Sequence, residues 1–132
     1  MLSLQRSQNK MLRLILNKKY TDQTSAEVRL NEAGFKSMNQ INAEIKLTEV
    51  WKSCNVAEYP VKFEKITTSN GINTRSVTNG NLVMFGKIQA TIYSFHGDGS
   101  RLWNISPIVI KEIANLYQAK KQISSFIKSL PV

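Results

Sequence analysis

The chain has 132 residues, 42% of them hydrophobic, with 18 Lys and Arg against 9 Asp and Glu, for a formal net charge of +9. That length makes one domain or a piece of one. The single cysteine, Cys54, excludes an intrachain disulfide, and no stretch approaches the roughly 20 apolar residues of a membrane span.

The lone cysteine favours an intracellular location, nucleus or cytoplasm alike. The positive charge favours an anionic partner, nucleic acid (RNA or DNA) first and an acidic membrane or protein second. It is unevenly spread: residues 1–19 contain Arg6, Lys10, Arg13, Lys18 and Lys19 and no acid, whereas residues 20–59 lean slightly acidic.

In chain order, residues 2–17 read as a helix. Leu4, Met11, Leu12 and Ile15 recur at helical spacing, and Arg6, Lys10 and Arg13 occupy other positions. A helix that starts at the first residue suggests a chain cut from something longer. A second helix is expected from about Thr24 to Ala33, capped by Asp22 or Thr24 and closed by Gly34. A third starts at Ser37, with Gln40 three residues on as in a capping box, and ends near Asn55. Its apolar face is wide: Met38, Ile41, Ile45 and Thr48 form one row, and Leu47, Val50, Trp51 and Cys54 an adjoining one.

Residues 60–82 are polar and turn-rich. They read as a long loop with an early extended piece at Val61 to Ile66. Leu82 to Phe85 and Ile88 to Tyr93 suggest a short hairpin about Gly86-Lys87. Within Ser94 to Ile110, Leu102 and Trp103 supply apolar area for a short helix. Asn104 is expected to end it and Pro107 to prevent its resumption. The last helix has Asn115 as cap and Gln118 at N3. Leu116, Ala119, Ile123, Phe126, Ile127 and Leu130 line its apolar face, and Pro131 ends it.

The expected fold class is mainly α. It is a small helical domain of four to five helices, with a long polar loop over about 64–82 and a short β-hairpin over about 82–93. Its parts are a helical segment 1–59, the loop and hairpin 60–93, and the C-terminal helices 94–132.

No catalytic set can be named. His96, the sole histidine, sits in His-Gly-Asp-Gly with no second His, Cys or carboxylate cluster to make a base or a metal site. Asn79-Gly80 and Gly97-Asp98-Gly99 lack the context of phosphate-binding loops. No metal and no cofactor is implied. The best contact surface is the first helix, where Arg6, Lys10 and Arg13 share one face at i, i+4 and i+7. Lys18, Lys19, Arg75 and Lys87 are further candidates for nucleic-acid contact, and Lys120, Lys121 and Lys128 form a possible second patch. The alternative for each is a solvated basic surface. Trp51 and Trp103 lie on apolar faces and are expected in the core, not stacked on bases.

The order of these features resembles the region that follows the polymerase domain in non-LTR retrotransposon reverse transcriptases of the Jockey and chicken-repeat type. The entry helix of that family, Gln-x-x-Gln-Asn-x-x-Leu-Arg-x-Ile, is matched by Gln5, Gln8, Asn9, Leu12, Arg13 and Ile15. A helix pair follows, here 24–55 with Trp51, and then a polar loop with Thr74-Arg75. Last come Ser94-Phe95, Leu102-Trp103-Asn104 and Pro107, and a closing Leu116 to Lys121 helix. The resemblance covers nearly the whole chain.

It implies a C-terminal fragment of an RNA-directed DNA polymerase, a product of a transposable element, that is not an enzyme on its own. The polymerase carboxylates are absent, so no catalytic residue carries over. The implied role is packing behind the missing polymerase domain or touching nucleic acid. No membrane or small-molecule partner is implied. The chain departs from the pattern at Gly97 and Gly99, which predict a later helix start near Ser100. A free-standing basic nucleic-acid-binding module and a protein-interaction domain with exposed helix faces are the alternative readings.

Overall fold

The structure, a computed structural model, describes residues 2–19, 21, 23–67, 74–84 and 94–130. It is mainly α, with 66% of the described residues helical. The helices are α1 (Leu2–Ile15), α2 (Ala26–Ala33), α3 (Met38–Asn55), α4 (Arg75–Thr78), α5 (Phe95–Ile105), α6 (Ile108–Glu112) and α7 (Leu116–Ser129). The two beyond the expected four to five are α4 and α6, of 4 and 5 residues. The chain divides into two compact units, Met1–Asn42 with Lys128–Val132, and Ala43–Ile127.

In the first unit the caps are local and mostly as expected. Ser37 Oγ accepts from the Gln40 N–H at 3.2 Å while Gln40 Oε1 accepts from the Ser37 N–H at 3.0 Å, so two otherwise orphaned donors are satisfied reciprocally. Gly34 takes φ +72°, the left-handed conformation that closes α2 with the Phe35 N–H on the Leu30 carbonyl. The α2 cap is Ser25, whose hydroxyl accepts from Val28 N–H. It displaces the expected Thr24, and Asp22 lies outside the described residues. α1 packs on α2. Its two glutamines hold the chain that enters α3: Gln8 donates to the Lys36 carbonyl at 2.6 Å, and Gln5 Oε1 accepts from the Met38 N–H at 3.1 Å.

The apolar row expected on α1 is not a core row. Leu12 is buried, but Leu4, Met11 and Ile15 are 56%, 61% and 59% exposed.

The second unit has its core at Leu47, Val50, Trp51, Leu82, Leu102, Trp103, Ile110, Ala119, Ile123 and Ile127. Here α5 differs from expectation at both ends. It starts at Phe95, capped by the Ser94 hydroxyl on the Gly97 N–H, and runs through Gly97 and Gly99 instead of starting at Ser100. At Gly99 the reason is a close helix approach: a Cβ there would lie 2.8 Å from Val50 Cγ2. A glycine costs about 1 kcal/mol inside a helix, and here it admits α3 to within contact of the α5 backbone.

At the other end Asn104 does not stop the helix. It lies inside α5, with its side chain committed elsewhere, and the cap is Ser106. Pro107 does not prevent resumption either. It is the N-cap of α6, where its missing N–H removes no hydrogen bond.

The expected long loop contains a helical turn, because the Thr74 hydroxyl caps α4 through the Val77 N–H. Leu82 forms an isolated antiparallel bridge with Lys65. The partner expected for it, 88–93, lies outside the described residues, as do Phe85 and the Gly86-Lys87 turn. α7 is capped by Asn115, whose side-chain oxygen accepts from the Tyr117 and Gln118 N–H groups at 2.9 and 3.3 Å. Ala119, Ile123 and Ile127 are buried along it, whereas Leu116, in its first turn, is exposed.

Candidate functional site

α1 has two solvent-facing surfaces of opposite character. Arg6 and Lys10 are exposed and Arg13 half-buried, and no acid lies anywhere on the helix. Leu4, Met11 and Ile15 follow a separate row. With Leu12, Phe35 and Met38 they line an open apolar groove of about 380 Å³.

Of the other expected contact residues, Lys19 is exposed, while Lys18 pairs with Glu32 at 3.6 Å and is partly neutralised. Arg75 is exposed and belongs to the second unit. Lys87 lies outside the described residues. Lys120, Lys121 and Lys128 are exposed.

In the second unit the Leu-Trp-Asn block fastens the segment that follows α4. Asn104 Oδ1 accepts from the Leu82 N–H at 2.7 Å, and its Nδ2 donates to the Leu82 carbonyl at 3.0 Å. The side chain thus pairs with Leu82 as a neighbouring strand would. Trp103 Nε1 donates to the Gly80 carbonyl at 3.0 Å. Lys111 Nζ donates to the Asn79 carbonyl and to Asn81 Oδ1, both at 3.0 Å, and lies 5.9 Å from the Trp103 ring centre. On the other side of Leu82, the Ile66 N–H reaches the Asn81 carbonyl and the Val83 N–H the Glu64 carbonyl. Residues 79–83 are therefore held from both sides, although the sequence reads as loop.

A cavity of about 160 Å³ opens beside this clasp, lined among others by Cys54, Asn55, Lys65, Gly80, Trp103 and Lys111. Burial pushes the Cys54 thiol up, against the opposing pull of Lys65, Lys111 and Lys62. The thiol is therefore protonated at neutral pH and is not an activated nucleophile. Burial also lowers the Lys111 ammonium from its ordinary range.

His96 is exposed and stacks on Phe63 at 5.0 Å, and Phe95 meets the same ring edge-on at 5.6 Å. Its neighbour Asp98 serves structure. Its carboxylate takes Lys46 at 2.8 Å and Arg101 at 2.8 Å. Burial pushes that carboxyl up, and the hydrogen bonds from Lys46 and Arg101 outweigh it, so it sits below the ordinary carboxylate range. Among the described residues no group of three His, Cys, Asp or Glu could hold a metal ion. No helix among them is long and apolar enough to cross a membrane.

Trp51 and Trp103 are both buried, at 3% and 2% exposure, as expected of core anchors. The residues that sequence reasoning missed are Lys65 and Lys111. Their significance depends on partners and walls far away in the chain, and no local spacing marks them. The chain matches no family model, no curated protein and no solved structure.

Proposed function

We propose that the chain is a non-catalytic accessory module that contacts nucleic acid through α1. In this reading it is the post-polymerase region of a retrotransposon reverse transcriptase. The observation that carries the contact is the acid-free α1 face bearing Arg6, Lys10 and Arg13, with Arg6 and Lys10 open to solvent. Cations so placed pair with backbone phosphates and release counterions. The ordered motifs support the family reading. In the fold they act as fasteners: Gln5 and Gln8 hold the entry to α3, Thr74 caps α4, and Trp103 and Asn104 hold 80–82. The apolar groove beside Leu4, Met11 and Ile15 supports the packing half of the role, because a face of that character is suited to lie against another protein domain.

The contact is tested by fluorescence anisotropy with single-stranded RNA and duplex DNA between 50 and 200 mM salt. Affinity should fall steeply with salt. The double charge reversal Arg6→Glu with Lys10→Glu should weaken binding about tenfold or more and flatten the salt slope by about 2. Binding that ignores salt, or a variant that binds as the parent does, sinks the reading.

The family reading has its own test. Genomic sequence upstream of the Met1 codon should contain a polymerase reading frame, intact or decayed, and a locus without one overturns it.

A further inference from the structure

We propose that the second unit carries a binding pocket for a phosphate-sized oxyanion, built on Lys111 and Lys65. Its first cation is the Lys111 ammonium. It is fixed, not freely rotating, because two of its three N–H donors are taken by Asn79 O and Asn81 Oδ1. Both acceptors are neutral. Among the described residues no carboxylate forms an ion pair with it. A half-buried cation whose two hydrogen-bond acceptors are both neutral keeps its charge without a paired anion, and here it borders a cavity.

The rest of the cavity wall suits an anion. Lys65 lines it, with its backbone held by the bridge to Leu82. Lys62 adds positive potential at Cys54, although its own ammonium is occupied by the Val56 and Ala57 carbonyls. One acid, the exposed Glu112, also lines the cavity and opposes binding.

Size narrows the ligand. At about 160 Å³ the cavity is well below the roughly 300–1,000 Å³ of ordinary small-molecule sites. It has room for a phosphate group and not for a nucleoside. The phosphate is either free or the end of a larger ester. The pocket stands independently of the α1 contact, since it uses none of the α1 residues.

Cys54 lines the pocket and is the only cysteine, so its alkylation by N-ethylmaleimide, a neutral reagent, reports occupancy. Inorganic phosphate is titrated into the full chain at constant ionic strength, and the alkylation rate is followed. Saturable slowing of about threefold or more is expected, because the anion covers the thiol and cancels the lysine field that favours thiolate. Lys111→Gln and Lys65→Gln should each weaken the protection, and Glu112→Gln should strengthen it. Circular dichroism checks that each variant is folded. If Lys111→Gln does not fold, Lys65→Gln and Glu112→Gln decide the matter.

A 5′-phosphorylated oligonucleotide and its unphosphorylated twin separate the sources. Protection by the phosphorylated one as well as by inorganic phosphate assigns an ester terminus, and protection by inorganic phosphate alone assigns the free ion. No protection by either, protection that fails to saturate, or protection unchanged in the folded lysine variants overturns the proposal.

Discussion

Trp103→Ala is expected to cost about 3–5 kcal/mol of stability, which is a large share of the total of about 5–15 kcal/mol that holds a domain folded. Three losses combine. The ring is 2% exposed, so its removal leaves a cavity in the core of the second unit. The Gly80 carbonyl loses its donor. The Lys111 ammonium loses the aromatic face 5.9 Å away. Trp103→Phe separates these effects: it keeps most of the apolar bulk and removes the indole N–H. Its cost should be nearer 1–2 kcal/mol, a hydrogen bond contributing about 1 kcal/mol net. Urea unfolding of the three proteins, followed by circular dichroism, measures both differences. A Trp103→Ala protein within about 1 kcal/mol of the parent would show that the ring is not a core anchor.

Asn104→Leu should be the next most damaging change. Leu82 is fully buried, and its N–H and carbonyl both pair with the Asn104 amide. A leucine of similar size orphans both groups, at about 1–3 kcal/mol for each buried group left unpaired. Asn104→Asp is the more diagnostic variant. Its carboxylate still accepts from the Leu82 N–H, but it has no donor for the carbonyl and faces that oxygen with negative charge. The folded state then favours the protonated acid, so the folded pKa of the new carboxyl lies above its unfolded value. Stability is fully restored below the unfolded pKa, about 4 for Asp, and is lost as pH rises through the folded one. Melting temperature should therefore rise on mild acidification for Asn104→Asp relative to the parent. Parallel pH profiles would show that Asn104 does not make the two-sided pairing.

The helix boundaries that could be read from the sequence are those set within one turn. Ser37 with Gln40, Gly34 after α2 and Asn115 before α7 each act on backbone groups two to four residues away, so their signals are local. The misread boundaries are tertiary in origin. Gly99 looks like a helix breaker because the benefit of lacking a Cβ lies on α3, about fifty residues upstream in the sequence. Asn104 looks like a helix end because its real partner is Leu82. Pro107 starts a helix where it was expected to forbid one.

The candidate surfaces divide in the same way. Arg6 and Lys10 stand out by charge alone, whereas the neutralisation of Lys18 by Glu32 and the fixing of Lys111 by Asn79 and Asn81 need the fold. The apolar row on α1 has the helical spacing of a core, and spacing does not tell a buried row from an open one.

The 2.8 Å approach of a would-be Cβ at position 99 to Val50 Cγ2 makes these two positions a size pair. Between them there is room for one branched side chain and no more. As the sequence diverges, they should change together: a side chain gained at 99 requires one shortened at 50, while Gly99 leaves position 50 free to remain Val. Gly99→Ala against an unchanged Val50 should be rare, and Gly99→Ala combined with Val50→Ala tolerated. A coupled exchange of this kind would trace the α3–α5 contact in the sequences of relatives without any structure of them.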